Sequence, residues 1–248
     1  MAGGGIGWAE ESWNPTTGCT KVSPGCAHCW AERMARRLHG MGQERYARGF
    51  RVTTHEDLLE KPLRWAKPRL VYVSFMGDLF HDEVPDEFIR RVFDVMVGSP
   101  QHRFHLLTKR PERLAGTSPS LPWPPNVWAG VTVEDDAHCG RADRLRQTGA
   151  AVKYLVFEPL LGPIDDLDLH DIGWAIVGGE SGAGARPMHV DWVRSLRDRC
   201  IGADVPFYFK QWGGVRRKET GRELDGRLWS ERPQGPGQLG FEGIEAAV

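Results

Sequence analysis

Between Leu70 and Gly214 the sequence alternates short β-rich runs with segments of helical period. The strand-like runs are "LVYVSF" (70–75), "RFHLLT" (103–108), "NVWAGVTVE" (126–134), "VKYLVFE" (152–158), "GWAIVGGE" (173–180) and "VPFYFKQWGG" (205–214). Helical segments lie between several of them. "PDEFIRRVFDVMVG" (85–98) places Phe88, Ile89, Val92, Phe93 and Met96 on one stripe, opened by Pro85 and stopped by Gly98. "DWVRSLRDRCIG" (191–202) is a second helix, and an earlier one spans about 28–39. Continuous apolar strands joined by helices bury both faces of a parallel sheet. Six such strands in about 150 residues predict one partial TIM-like (β/α)6 barrel, with an open doubly wound sheet as the alternative. The barrel-like α/β domain is expected over 1–214. Residues 215–248 form an irregular polar C-terminal extension packed on the barrel or trailing from it.

Nearly every strand ends in polar residues. Ser74 and Asp78 lie at or just past the end of the first run, Thr108 and Lys109 of the second, and Thr132 and Glu134 of the third. Glu158, then Gly178, Gly179 and Glu180, then Lys210 end the others. In parallel α/β folds ligands bind at the carboxyl ends of the strands. A carboxylate there is costly to desolvate unless it binds something.

"GCTKVSPGCAHCWAE" (18–32) places Cys19, Cys26 and Cys29 in a C-x6-C-x2-C pattern, three of the chain's five cysteines. An odd, crowded set argues against a disulfide framework and for a reducing, cytoplasmic setting. Three soft thiolates suit zinc or an iron–sulfur cluster. Zinc would need a fourth ligand, with His28, His39 or His81 nearest in sequence. A [4Fe–4S] cluster on three cysteines leaves one iron open to a substrate or cofactor. No apolar run approaches the ~20 residues of a membrane span, and no signal peptide opens the chain. The net charge of −1 provides no global pull toward nucleic acid. Local basic groups remain at Arg33, Arg36 and Arg37, at Arg141, Arg144 and Arg146, and at Arg216, Arg217 and Lys218. Asp78, Glu134, Glu158 and Glu180 also admit a hydrolase-like barrel, although no single pair stands out.

The motifs "WNPTTGCTKVSPGCAHCWAERMA", "DLFH", "LLTKRPERL", "VWAGVTVE", "FEPLLGPI", "VGGESGAGARPM" and "FKQWGG" resemble a phage and prophage family of three-Cys-motif proteins, from Trp8 to about Pro233. That family is more remotely similar to radical S-adenosylmethionine enzymes of the spore photoproduct lyase branch. The resemblance implies a partial barrel whose three cysteines hold a [4Fe–4S] cluster. It implies S-adenosyl-L-methionine on the fourth iron, cleaved reductively to a 5′-deoxyadenosyl radical. It also implies a nucleic acid or nucleotide substrate, in DNA repair or modification, and a three-Cys-motif partner protein. Cofactor contacts then fall to Ser74, Asp78, Thr108, Lys109, Thr132, Glu134, Gly178, Gly179 and Glu180, and substrate chemistry to Glu158 and Lys210. Two departures stand out. The usual first gap is three residues and here it is six. The residue before the last cysteine is usually aromatic and here it is His28. The alternative reading is a zinc-stabilised barrel that binds nucleic acid or protein without catalysis.

Overall fold

The computed structural model describes residues 10–233. Its centre is a parallel sheet of seven strands: β1 (Glu11–Trp13), β2 (Leu70–Val73), β3 (Arg103–Thr108), β4 (Val127–Thr132), β5 (Lys153–Phe157), β6 (Trp174–Gly178) and β7 (Phe207–Gln211). Neighbours in the sheet are neighbours in sequence throughout, and each pairing is parallel. The order never reverses, which excludes the doubly wound alternative, where a reversal creates the binding crevice. The sheet curls into a half-barrel.

The expected (β/α)6 arrangement needs correction on two counts. A seventh strand precedes the others. "ESW" is too short for any periodicity, yet Trp13 is fully buried and its indole N–H donates to the Leu58 carbonyl at 2.8 Å. The crossovers also differ. Helices α1 (Trp30–Gly40), α2 (Asp86–Val97), α3 (Pro111–Thr117), α4 (Gly140–Arg146) and α5 (Val190–Gly202) serve five of them, but β5 reaches β6 through an irregular segment. Pro159, Gly162 and Pro163 there deny a helix its N–H groups and its rigidity.

Side-chain alternation sorts the strands onto two faces. Outward residues such as Val71, Phe104, Ala129, Leu155, Val177 and Phe209 pack under the helices in the main core. Phe88, Ile89, Val92, Phe93 and Met96 of α2 join them, as the helical stripe predicts. Inward residues form a smaller aromatic cluster of Tyr72, Trp128, Tyr154, Trp174 and Tyr208. His105 is inserted among them, 5.1 Å from Trp128 and 5.8 Å from Tyr154. Aromatic packing therefore fills the half-barrel below its mouth.

The extension after Gly214 returns to the sheet. Ser230 bridges Tyr208 in antiparallel sense, and Phe209 N–H donates to the Trp229 carbonyl at 3.0 Å. This covers the outer edge of β7, which would otherwise present unpaired peptide groups. The remainder of the 215–248 segment, from 234 on, lies outside the described residues, as does Trp8. No described helix is long and apolar enough to cross a membrane.

Candidate functional site

The three cysteines lie between β1 and α1, with Cys29 immediately before the helix. All three are free thiols and partly exposed. They line one open cavity of about 800 Å3, together with Lys21, Arg36, Arg48 and Arg51. A second cavity of about 290 Å3 occupies the mouth of the half-barrel, at the carboxyl ends of the strands. Cys29 lines both cavities.

Among the described residues no three His, Cys, Asp or Glu side chains cluster tightly enough for a single metal ion. The histidines weighed as a fourth zinc ligand are engaged elsewhere. His28 Nδ1 pairs with Glu180 at 3.0 Å, His39 Nδ1 with the Tyr46 carbonyl at 2.9 Å, and His81 Nε2 with Thr20 Oγ1 at 2.8 Å. A structural zinc needs four ligands at about 2.0–2.3 Å, whereas three thiols suffice to hold a [4Fe–4S] cluster with one iron open. Burial, followed by Asp78, pushes the Cys19 thiol up to about 11, although Arg110 acts in the opposite direction. A bound metal would deprotonate it outright.

The four carboxylates at the strand ends, Asp78, Glu134, Glu158 and Glu180, divide by their partners. Three of the four turn toward the cysteine segment. Asp78 accepts from Thr108 Oγ1 at 2.8 and 2.9 Å and lies 3.5 Å from Arg110 Nη1. The same guanidinium reaches Cys19 Sγ at 3.3 Å and Thr20 Oγ1 at 2.8 Å. Glu134 is wholly buried. It accepts from Ser23 Oγ at 2.6 Å and Arg141 Nη1 at 3.2 Å, with Lys109 Nζ at 3.8 Å. Gly25 is pressed against it: a Cβ there would stand 2.4 Å from Glu134 Oε1. Glu180 takes His28 on one side and Arg186 Nε at 2.9 Å on the other, while Arg186 Nη2 also donates to the Pro24 carbonyl at 3.0 Å. Burial alone would raise the Glu180 carboxyl, but the hydrogen bonds from Arg186 and His28 prevail and hold it at about 2.

Glu158 is the carboxylate that faces the mouth cavity without holding the cysteine segment. Lys210 Nζ approaches both its oxygens, and Gln211 Nε2 donates at 3.1 Å. Lys109, Thr132, Gly179, Glu180 and Lys210 also line this cavity. Ser74, Asp78, Thr108, Glu134 and Gly178 do not, although they sit at the strand ends. Ser74 is instead bonded to Thr16 at 2.7 Å. Trp30 and Phe75, absent from the sequence expectation, form an aromatic wall with ring centroids 5.0 Å apart. Ser23 and Arg186 were equally invisible, since a lone serine in a loop and an arginine six residues past Glu180 carry no pattern.

Several of the basic groups considered for nucleic acid are engaged within the chain. Arg33 donates to the Ser181 carbonyl at 2.7 Å, Arg36 pairs with Glu32, Arg141 with Glu134, Arg146 with Asp143, and Arg216 with Glu219. The side chains of Arg217 and Lys218 lie outside the described residues.

Fold and site together define an α/β half-barrel protein with a cavity at its strand mouth and a three-cysteine segment laid against it. The chain belongs to the family described as "Protein of unknown function (DUF5131)", which matches residues 4–233. Among solved structures, "Spore photoproduct lyase complexed with dinucleoside spore photoproduct" is similar at a TM-score of 0.42 and 11% identity, over 76% of this chain and 60% of that one. This chain thus spans less than two thirds of that structure's length. No curated protein matches the chain.

Proposed function

We propose that this protein is a radical S-adenosylmethionine enzyme in which Cys19, Cys26 and Cys29 hold one [4Fe–4S] cluster. The observation that carries this reading is the position of Cys29 on the wall shared by the cysteine cavity and the strand-mouth cavity. Cys19, Cys26 and Cys29 would hold the cluster from the first cavity, and the adjoining second cavity would take the molecule it acts on. When bound, such a cluster supplies the electron that cleaves S-adenosylmethionine. The chain's own residues bind and orient. Lys109 and Lys210 offer cations to a ligand carboxylate or phosphate, and Glu158 offers a carboxylate to an amine or hydroxyl. Tyr72, Phe75, Leu107 and Val156 provide an apolar wall that keeps water from the reacting groups. A nucleotide or nucleic acid is the substrate class within this reading. Trp30, 43% exposed beside Phe75, offers a flat face to a base.

The test is anaerobic reconstitution with iron and sulfide, then reduction with S-adenosylmethionine present. The expected products are methionine and 5′-deoxyadenosine, formed slowly without substrate and faster with the true one among DNA, RNA and free nucleotides. Cluster-replete, reduced protein that neither binds nor cleaves the cofactor overturns the proposal in favour of a binding module. A colourless protein with one tight zinc does the same.

A further inference from the structure

We infer that the three buried carboxylates at the strand ends are positioning residues, each fastening one cysteine of the metal-binding segment. The contacts fall at successive points along the segment, and Glu180 reaches two of them. Asp78, after β2, holds Arg110, which touches Cys19 Sγ at 3.3 Å. Glu134, after β4, holds Ser23, whose hydroxyl lies 3.7 Å from Cys26 Sγ. Glu180, after β6, holds His28, the residue before Cys29, and through Arg186 grips the Pro24 carbonyl.

Other ties hold mainly the start of the segment: Gly18 N–H donates to the Met76 carbonyl, Cys19 N–H to the Phe50 carbonyl, and Thr20 Oγ1 pairs with His81 Nε2. Its regular structure is one 3-10 turn, Pro24–Cys26, and none of that turn's residues is buried. A loop of this kind opens locally at low cost unless anchored from outside. The anchors are carboxylates on a rigid parallel sheet, with exposures of 5%, 0% and 5% for Asp78, Glu134 and Glu180. Fully satisfied buried charges specify geometry, and removing one partner leaves the other stranded. This deepens the cluster reading and rests on it only for the identity of the metal group. Glu134 meets Ser23, Arg141, Lys109 and His138, all side chains of this protein, so its buried position is set from within the chain.

Residue-resolved hydrogen exchange on the full, metal-free chain tests the correspondence. The reporters are the amides of Cys19, bonded to the Phe50 carbonyl, of Cys26, bonded to the Ser23 carbonyl, and of Arg33, bonded to the Cys29 carbonyl. Asp78→Asn, or Arg110→Gln should the first fail to fold, is expected to speed exchange at Cys19 about tenfold. Ser23→Ala, which leaves Glu134 and Arg141 in place, should do so at Cys26, and Glu180→Gln at Arg33 and, through Arg186 and the Pro24 carbonyl, at Cys26, with Cys19 unmoved in both. Helix α5 serves as the control that a global loss of stability would move. Exchange that rises over the whole segment in every variant, or in none, overturns the inference. Iron per chain after anaerobic loading is the second readout and should fall in each variant. Wild-type protein that takes no iron while the exchange pattern holds rejects the cluster and keeps the anchors. Wild-type protein that loads iron while the pattern is absent rejects the anchors and keeps the cluster.

Discussion

Lys210 Nζ lies 2.8 and 2.7 Å from the two carboxylate oxygens of Glu158. Both side chains are largely withdrawn from water, at 14% and 21% exposure, so this pair is screened less than a surface bridge. A double-mutant cycle with Lys210→Met and Glu158→Gln should give a coupling energy of about 1–2 kcal/mol in denaturant unfolding. Coupling near zero would show that the two groups are independently solvated. The same cycle, read by cofactor affinity, reports whether they act on a ligand as one unit.

Gly179 and Gly116 should respond oppositely to alanine. A Cβ on Gly179 would stand 2.1 Å from the Trp212 backbone oxygen, so a neighbouring strand must move. The cost is expected to be about 1–3 kcal/mol or more. Gly116 sits in helix α3 with nothing within 4 Å of its Cβ position. There, alanine should stabilise by roughly 0.5–1 kcal/mol. Thermal unfolding of the two variants beside wild type measures both.

His105 makes stability depend on pH. Burial, helped by Arg103 and Arg232, takes its imidazole from the ordinary 6.5 down to about 3. The unfolded chain therefore binds a proton that the folded chain refuses between those values. Stability falls as pH drops from about 6.5 toward 3, and this contribution is fully present above 6.5. His105→Phe should flatten that limb of the unfolding free energy against pH. A wild-type curve with no slope between pH 6 and 4 would refute the assignment.

Cysteine identity should matter sharply. Cys29→Ala should abolish iron loading and S-adenosylmethionine cleavage together, since Cys29 lines both cavities. Cys139→Ala should leave iron per chain unchanged, because that thiol is directed to Asp136, away from both cavities. Metal analysis of anaerobically prepared variants distinguishes the two.

Much of the scaffold was legible because it is a local property. The Phe88 to Met96 stripe and the continuous apolar strands follow from the periods 3.6 and 2, which neighbouring residues set among themselves. β1 was not, because three residues carry no period and Trp13 is fixed by the distant Leu58 carbonyl. The helix-free crossing from β5 to β6 was written in Pro159, Gly162 and Pro163, but the count of strands and crossovers closes only when the sheet curls.

For the site, the sequence by itself determined which chemical groups are available: three crowded thiols, and carboxylates at the ends of parallel strands, where a singly wound sheet must place them. Only the tertiary structure decided their directions. Asp78, Glu134 and Glu180 are drawn to the cysteine segment, Glu180 while also lining the cavity, and Glu158 faces the cavity alone; their partners Arg110, Ser23, Arg186 and Lys210 lie 32, 111, 6 and 52 residues away. A carboxylate withdrawn from water needs a donor that compensates its desolvation, and for Asp78 and Glu134 that donor arrives from 32 and 111 residues away, beyond any local pattern.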